Sequence, residues 1–232
     1  MRGVGVSLPI YSGGYTAFLQ LPQPRLKAIF ADLTHYQLGS QAPTAYGRLP
    51  VLLRSVDLVI MDAHPLREHT EDEVYWRKSS RLLISQIVLG LQSLRVGGNA
   101  ILTLSRPENP MTARLIYLFD RISSNIVLHK PTNIWAQRGS FYLVAFGVGQ
   151  GDDSQETLQH ALECFRKLWD ELMFGGEEEQ GRGLFATDYD FIVSVDEIVD
   201  TYVDRLGDLG RGVWETQIEG LTRRLVKNNV AV

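Results

Sequence analysis

The sequence predicts an α/β domain with a mostly parallel sheet and helices on both faces, followed by a helical extension. Three observations carry this. Short apolar segments alternate with helical ones through residues 1–150. Those short segments are β-branched or aromatic, as strands of a buried sheet are. After Gly147 the strand pattern stops and amphipathic helical spacing takes over.

The expected strands are Val4–Leu8, Ala28–Ala31, Val56–Met61, Ala100–Leu104, Ile126–Leu128 and Phe141–Phe146. Between the third and fourth, Asp72–Arg95 reads as a helix. Acidic residues stand at its start, Leu83, Ile84, Ile87, Val88 and Leu91 share one face, and Gly97-Gly98 stops it. Pro110 opens a second helix running to about Arg121, with Leu115, Leu118, Phe119 and Ile122 inward. Residues 153–173 form one amphipathic helix through Leu158, Leu162, Phe165, Leu168, Trp169 and Leu172. A Gly/Glu-rich linker follows near 175–187. Ser194–Leu206, with Ser194 as cap and Glu197 three residues on, and Val213–Val226 are the last helices. The reading therefore divides the chain into a domain over 1–150 and an acidic helical extension over 151–232.

Charge follows the same division. Residues 1–150 carry 15 Lys and Arg against 9 Asp and Glu, a balance of +6, and residues 151–232 stand at −10. A basic surface of this kind meets phosphate, although a solvated acidic tail beside an ordinary domain explains the asymmetry equally well. The single cysteine, Cys164, excludes a disulfide framework and a multi-cysteine metal centre. No apolar run reaches the roughly 18 residues that a membrane span requires, and Met1-Arg2-Gly3 leads straight into a strand-like stretch. The expectation is an intracellular protein, cytoplasmic or nuclear.

In an open α/β sheet, ligands bind beyond the carboxyl ends of the strands. Three segments fall there: Asp32 after Ile29-Phe30-Ala31, Asp62 in Val59-Ile60-Met61-Asp62-Ala63-His64-Pro65, and Thr103-Leu104-Ser105-Arg106. A carboxylate in such a position accepts from a ribose hydroxyl or an adenine amine, or it caps the next helix. His64 and His69, with only Asp62 and Glu68 nearby, make a poor metal site. His35 reads as a polar loop residue and Cys164 as a packed one. The chain contains neither a Gly-x-Ser-x-Gly elbow nor a phosphate loop of the Gly-x-x-x-x-Gly-Lys type.

Residues 56–147 resemble the FtsJ-like family of S-adenosylmethionine-dependent RNA ribose 2′-O-methyltransferases. The resemblance rests on Asp57-Leu58-Val59-Ile60-Met61-Asp62-Ala63-His64-Pro65 and on a Leu-rich helix ending Leu94-Arg95-Val96-Gly97-Gly98-Asn99. It continues through Glu108-Asn109-Pro110-Met111-Thr112-Ala113-Arg114-Leu115, Lys130-Pro131-Thr132 and Phe141-Tyr142-Leu143-Val144-Ala145. Gly3-Val4-Gly5-Val6-Ser7-Leu8-Pro9, with Gly13-Gly14, looks like the family's second strand and the loop after it.

The resemblance implies a Rossmann-like methyltransferase sheet, S-adenosyl-L-methionine as cofactor and RNA as partner. The family's first strand and glycine-rich cofactor turn have no counterpart, and Gly13-Gly14 reads as a loop instead. Weak cofactor binding follows. The cofactor positions fall on Ser7 for the ribose, Asp32 for the adenine and Asp62 for the junction with substrate. Of the catalytic Lys-Asp-Lys-Glu set, the aspartate is Asp62, the second lysine falls on Thr103 and the glutamate on Ser140. A threonine hydroxyl is no base at neutral pH. Lys130 is then the remaining amine for a catalytic role, and Arg106 and Arg138 are the candidates for RNA phosphate. Two functions stay open: methyl transfer to RNA, and a catalytically inactive binding or regulatory protein on the same scaffold, or an incomplete product of a longer enzyme.

Overall fold

The computed structural model describes residues 2–14, 24–64, 73–133, 136–176 and 180–228. The fold is mixed α/β and forms two compact units. One comprises residues 1–55, 63–93 and 162–185, and the other residues 56–62, 94–161 and 186–232.

The second unit holds a four-stranded sheet ordered β3-β4-β6-β5, built from β3 (Val56–Met61), β4 (Leu94–Ser105), β5 (Asn125–His129) and β6 (Ser140–Val148). β3 and β4 are parallel, whereas β6 runs antiparallel to both β4 and β5. The expected mostly parallel arrangement is therefore only partly realised. Of this sheet's three strand pairings, the two that β6 makes are antiparallel.

Register sorts the side chains of this sheet onto two faces. Leu102, Leu104, Phe141, Leu143, Ala145, Ile126 and Leu128 are buried on one face. Helix α2 (Pro110–Ile122) packs on this sheet and buries Leu115, Leu118, Phe119 and Ile122. Asn109 caps that helix by accepting from the amides of Met111 and Thr112. The other face carries Ile60, Ile101, Val144 and Val127 in one row, and Ile60 stays 63% exposed. These strands are thus buried on one face, and the expectation of full burial is corrected.

Gly97-Gly98 does not stop a helix. Helix α1 (Glu73–Ser93) has already ended, and β4 runs through both glycines, with Gly97 at φ 75°. The ladder to β3 jumps from Val56↔Leu94 to Leu58↔Asn99, so the extra residues form a bulge that glycine accommodates.

In the first unit, β1 (Gly3–Ser7) and β2 (Leu26–Phe30) pair in parallel as a two-stranded sheet. α1 buries Ile84, Ile87, Val88 and Leu91. Helix α3 (Asp152–Phe174) contributes its second half to this unit. There the indole of Trp169 donates to the Ser85 hydroxyl at 3.0 Å. Asp170, itself buried, accepts from the Ser40 amide (2.8 Å), the Ser40 hydroxyl (2.8 Å) and the Gln41 amide (3.0 Å). Arg81 donates to the carbonyls of Leu172 and Gln180, so part of the expected linker is tied down. That linker also contains one 3-10 turn, Ala186–Tyr189, in the second unit.

The last helix, α4, is continuous: α-helical over Val195–Glu197, π-helical over Ile198–Tyr202 and α-helical again over Val203–Lys227. The expected break between Leu206 and Val213 is absent. Gly210 lies under the Trp214 ring, where an added Cβ would come within 2.6 Å, so close packing explains this glycine. Arg205 and the Tyr202 hydroxyl both reach the carboxylate of Asp120 on α2.

Candidate functional site

The four-stranded sheet brings most of the expected site residues to the carboxyl end of β3 and β4. Asp62 follows Met61 directly, and Met61 pairs with Leu102, which places Asp62 beside Thr103. The Thr103 hydroxyl donates to Asp62 Oδ1 at 2.5 Å. Thr103 is buried, and its cross-strand partner is Tyr142, which in turn pairs with His129. One step further out, Ser105 pairs with Ser140. The face that carries Ile60, Ile101, Val144 and Val127 therefore ends in a polar row of Asp62, Thr103, Tyr142 and His129. Burial raises the Tyr142 phenol above its ordinary value, and the charge of Asp62 adds to that. At neutral pH the row holds one carboxylate acceptor and two hydroxyl donors.

Lys130, the residue after His129, is buried, and its ammonium donates to the backbone carbonyls of Arg138 and Ser140 (2.8 Å to Ser140). Burial pulls its pKa below the usual lysine value. Its head group thus staples the segment leading into β6. Arg106 and Arg138 are exposed and neighbouring. The Arg106 amide donates to the Gly139 carbonyl at 3.0 Å, and its side chain lies over Gly139. Arg106 itself sits at φ 53°, a left-handed conformation at the strand-to-helix turn that turns the backbone toward Gly139.

Ser7 and Asp32 lie in the other unit, at the carboxyl ends of the paired strands β1 and β2. Ser7 is exposed, and its carbonyl accepts from the Ala31 amide. Asp32 caps the short 3-10 turn Leu33–His35. Its Oδ1 accepts from the Thr34 amide (2.8 Å) and hydroxyl (2.7 Å), and Oδ2 lies 3.2 Å from His35 Nδ1. His35 therefore has a partner in Asp32, and its ring stacks at a tilt on Tyr46, with centroids 5.0 Å apart.

Gly13 and Gly14 do not form an anion cradle. The Gly13 amide donates to the Ile10 carbonyl and the Gly14 amide to the Pro9 carbonyl, so both are spent inside their own turn. Asp32 has both carboxylate oxygens engaged locally and these glycines offer no free amide, so among the described residues Ser7, Asp32 and Gly13-Gly14 do not by themselves make an S-adenosylmethionine site. Among the described residues no cluster of metal-ligating side chains occurs, His64 is exposed, and His69 lies outside the described residues.

Tyr142 and His129 join the site although sequence reading does not single them out. Their strands are legible, but the register that aligns them with Thr103 is a property of the β5–β6 pairing.

No protein-family model matches the chain, and no curated protein matches it. Among solved structures, the chain is similar to one titled "Alphavirus P23pro-zbd", at 14% identity and a TM-score of 0.37. That match covers 78% of this chain and 25% of the other, so the chain spans a quarter of that structure's length. No described helix is long and apolar enough to cross a membrane.

Proposed function

We propose that this chain is a binding domain on an FtsJ-like, Rossmann-like methyltransferase scaffold, one that engages RNA phosphate and carries out no methyl transfer itself. The observation behind the proposal is the closed Asp62–Thr103 pair. Where the resemblance calls for a lysine able to take a proton, a buried hydroxyl donates to the aspartate. The Lys130 ammonium is held by two backbone carbonyls, an arrangement that favours its protonated form. Proton removal from a ribose hydroxyl needs a base within reach, and neither group supplies one. Arg106 and Arg138, exposed on backbone segments joined by the Arg106–Gly139 hydrogen bond, suit phosphate oxygens. With the Gly13 and Gly14 amides spent inside their own turn, S-adenosylmethionine binding is weak, on the order of tens of micromolar or worse.

A second reading, methyl transfer to an RNA ribose, draws on the sheet order. A reversed strand inserted between the last two parallel ones, as β6 is, suits the fold that the resemblance implies.

One experiment separates the two readings. Tritiated methyl incorporation into total RNA is measured for the chain and for Thr103→Lys with Ser140→Glu. Anisotropy of a labelled single-stranded RNA is followed in parallel. Binding that falls steeply with salt, weakens in Arg106→Ala with Arg138→Ala, and comes with background incorporation in both proteins supports the binding domain. Turnover by the unsubstituted chain establishes the second reading instead, and Lys130 becomes the first residue to substitute.

A further inference from the structure

The first twelve residues of α4 present a surface that the fold itself does not use. Three rows run along it at a spacing of four residues. Ile198, Tyr202 and Leu206 are buried. Val195, Val199 and Val203 are exposed, with Val199 at 57% and Val203 at 51%. Asp196, Asp200 and Asp204, one position on, are exposed as well. Among the described residues none of these three aspartates makes an ion pair, because Arg205 is taken by Asp120 and Arg211 by Asp208.

The valine row and the spacing of the aspartates work against the isolated helix. Exposed valines bury nothing and are poor helix formers. Like charges four residues apart repel across a turn. A row spaced by four also drifts by about 40° per step round a regular α-helix. Here the drift is taken up by the wider π-helical turn over Ile198–Tyr202, which keeps all three rows running along the axis. The result is a straight apolar strip of about 12 Å with a parallel acidic strip beside it.

We propose that this face is a docking surface for a basic amphipathic helix of a partner protein. Apolar residues of such a helix cover Val195, Val199 and Val203, while its Lys or Arg residues meet the three aspartates. Charge selects this occupant. A second copy of the chain would set its own aspartates against these, and nucleic acid or an anionic membrane would bring phosphate to a row of carboxylates. Two turns of contact make a small interface, so affinity falls in the micromolar range, about 1–100 μM.

The test uses the full chain and a fluorescein-labelled leucine–lysine amphipathic helical peptide as probe, with binding read by anisotropy and the contact mapped by amide chemical shifts. The expected result is saturable binding, with shifts concentrated over Val195–Leu206. Asp196→Asn with Asp200→Asn and Asp204→Asn weakens it about tenfold or more, and so does Val199→Ser with Val203→Ser. Asp152→Asn with Asp153→Asn, a charge change elsewhere in the acidic extension, leaves it unchanged. Circular dichroism confirms that each variant keeps its helix. The proposal is overturned if the Asn variant binds equally well, if the Asp152/Asp153 variant weakens binding as much, or if a leucine–glutamate peptide binds as tightly. Uptake onto anionic vesicles, or self-association lost in the Val199/Val203 variant, assigns the face to another occupant and also overturns it.

Discussion

Replacing Thr103 by valine removes the hydroxyl that meets Asp62 and keeps the side chain's shape. The bond lost is a hydrogen bond to a carboxylate at 2.5 Å, from a donor residue that is 8% exposed. Hydrogen bonds to charged groups contribute about 1.5–3 kcal/mol. Asp62 stands at the open end of the strand, where water re-solvates its carboxylate, so the lower end applies and Thr103→Val costs about 1.5 kcal/mol. With a urea slope of about 2.5 kcal/mol per molar, the unfolding midpoint falls by about 0.6 M. A double-mutant cycle with Asp62→Ala isolates the pair and returns a coupling of about 1–1.5 kcal/mol. Thr103→Ser keeps the donor and so keeps the coupling. A midpoint unchanged within about 0.1 M in Thr103→Val, together with no coupling to Asp62, refutes the closed pair and with it the observation behind the proposed binding domain.

Other consequences are equally measurable. Asp170→Ala strands two backbone amides and a hydroxyl and destabilises the fold by about 3 kcal/mol, against about 1 kcal/mol for Ser40→Ala; similar urea midpoints for the two variants would contradict this. Burial lowers the Lys130 pKa, so the fold resists its charged form. That penalty is present at neutral pH and fades as pH rises from the lowered value toward the ordinary 10.5. Stability of the parent chain therefore rises relative to Lys130→Met in alkaline solution, and parallel pH profiles would rule this out. Substituting Asp200 alone by asparagine removes its two repulsive pairs, with Asp196 and Asp204, and stabilises the unbound chain by about 0.4–1 kcal/mol, a melting rise of about 1–3 °C by calorimetry. A melting temperature that falls instead would show that Asp200 has a structural partner.

The six strands were legible because apolar, β-branched runs of three to six residues have few other uses. α2 was equally plain, with proline at its first turn and four buried residues at helical spacing. Glycine was the misleading signal. Gly97-Gly98 and Gly207 to Gly212 both look like helix ends, yet one pair makes a bulge within a strand and the others lie inside a helix. The direction of β6 has no local signature, because antiparallel pairing is fixed by its neighbours. The π turn in α4 is hidden for the same reason. At the site, Asp62 and Thr103 stood out singly. That one donates to the other, and that Tyr142 and His129 complete the row, depends on strand register.

The bond between Ser40 and Asp170 joins positions 130 residues apart. Asp170 lies in the half of α3 that belongs with residues 1–55 and 63–93, while the intervening strands β4, β5 and β6 belong to the other unit. During synthesis, the loop that carries Tyr36 and Ser40 leaves the ribosome long before its anchor exists. At about 5–20 residues per second, the wait is roughly 6–26 s. Throughout that interval β1, β2 and α1 are without the carboxylate and the indole that complete their unit. Contacts of such long range slow folding and lengthen the exposure of apolar segments. Stop codons or nicks anywhere between β4 and α3 should therefore disable the chain's beginning as well as its end.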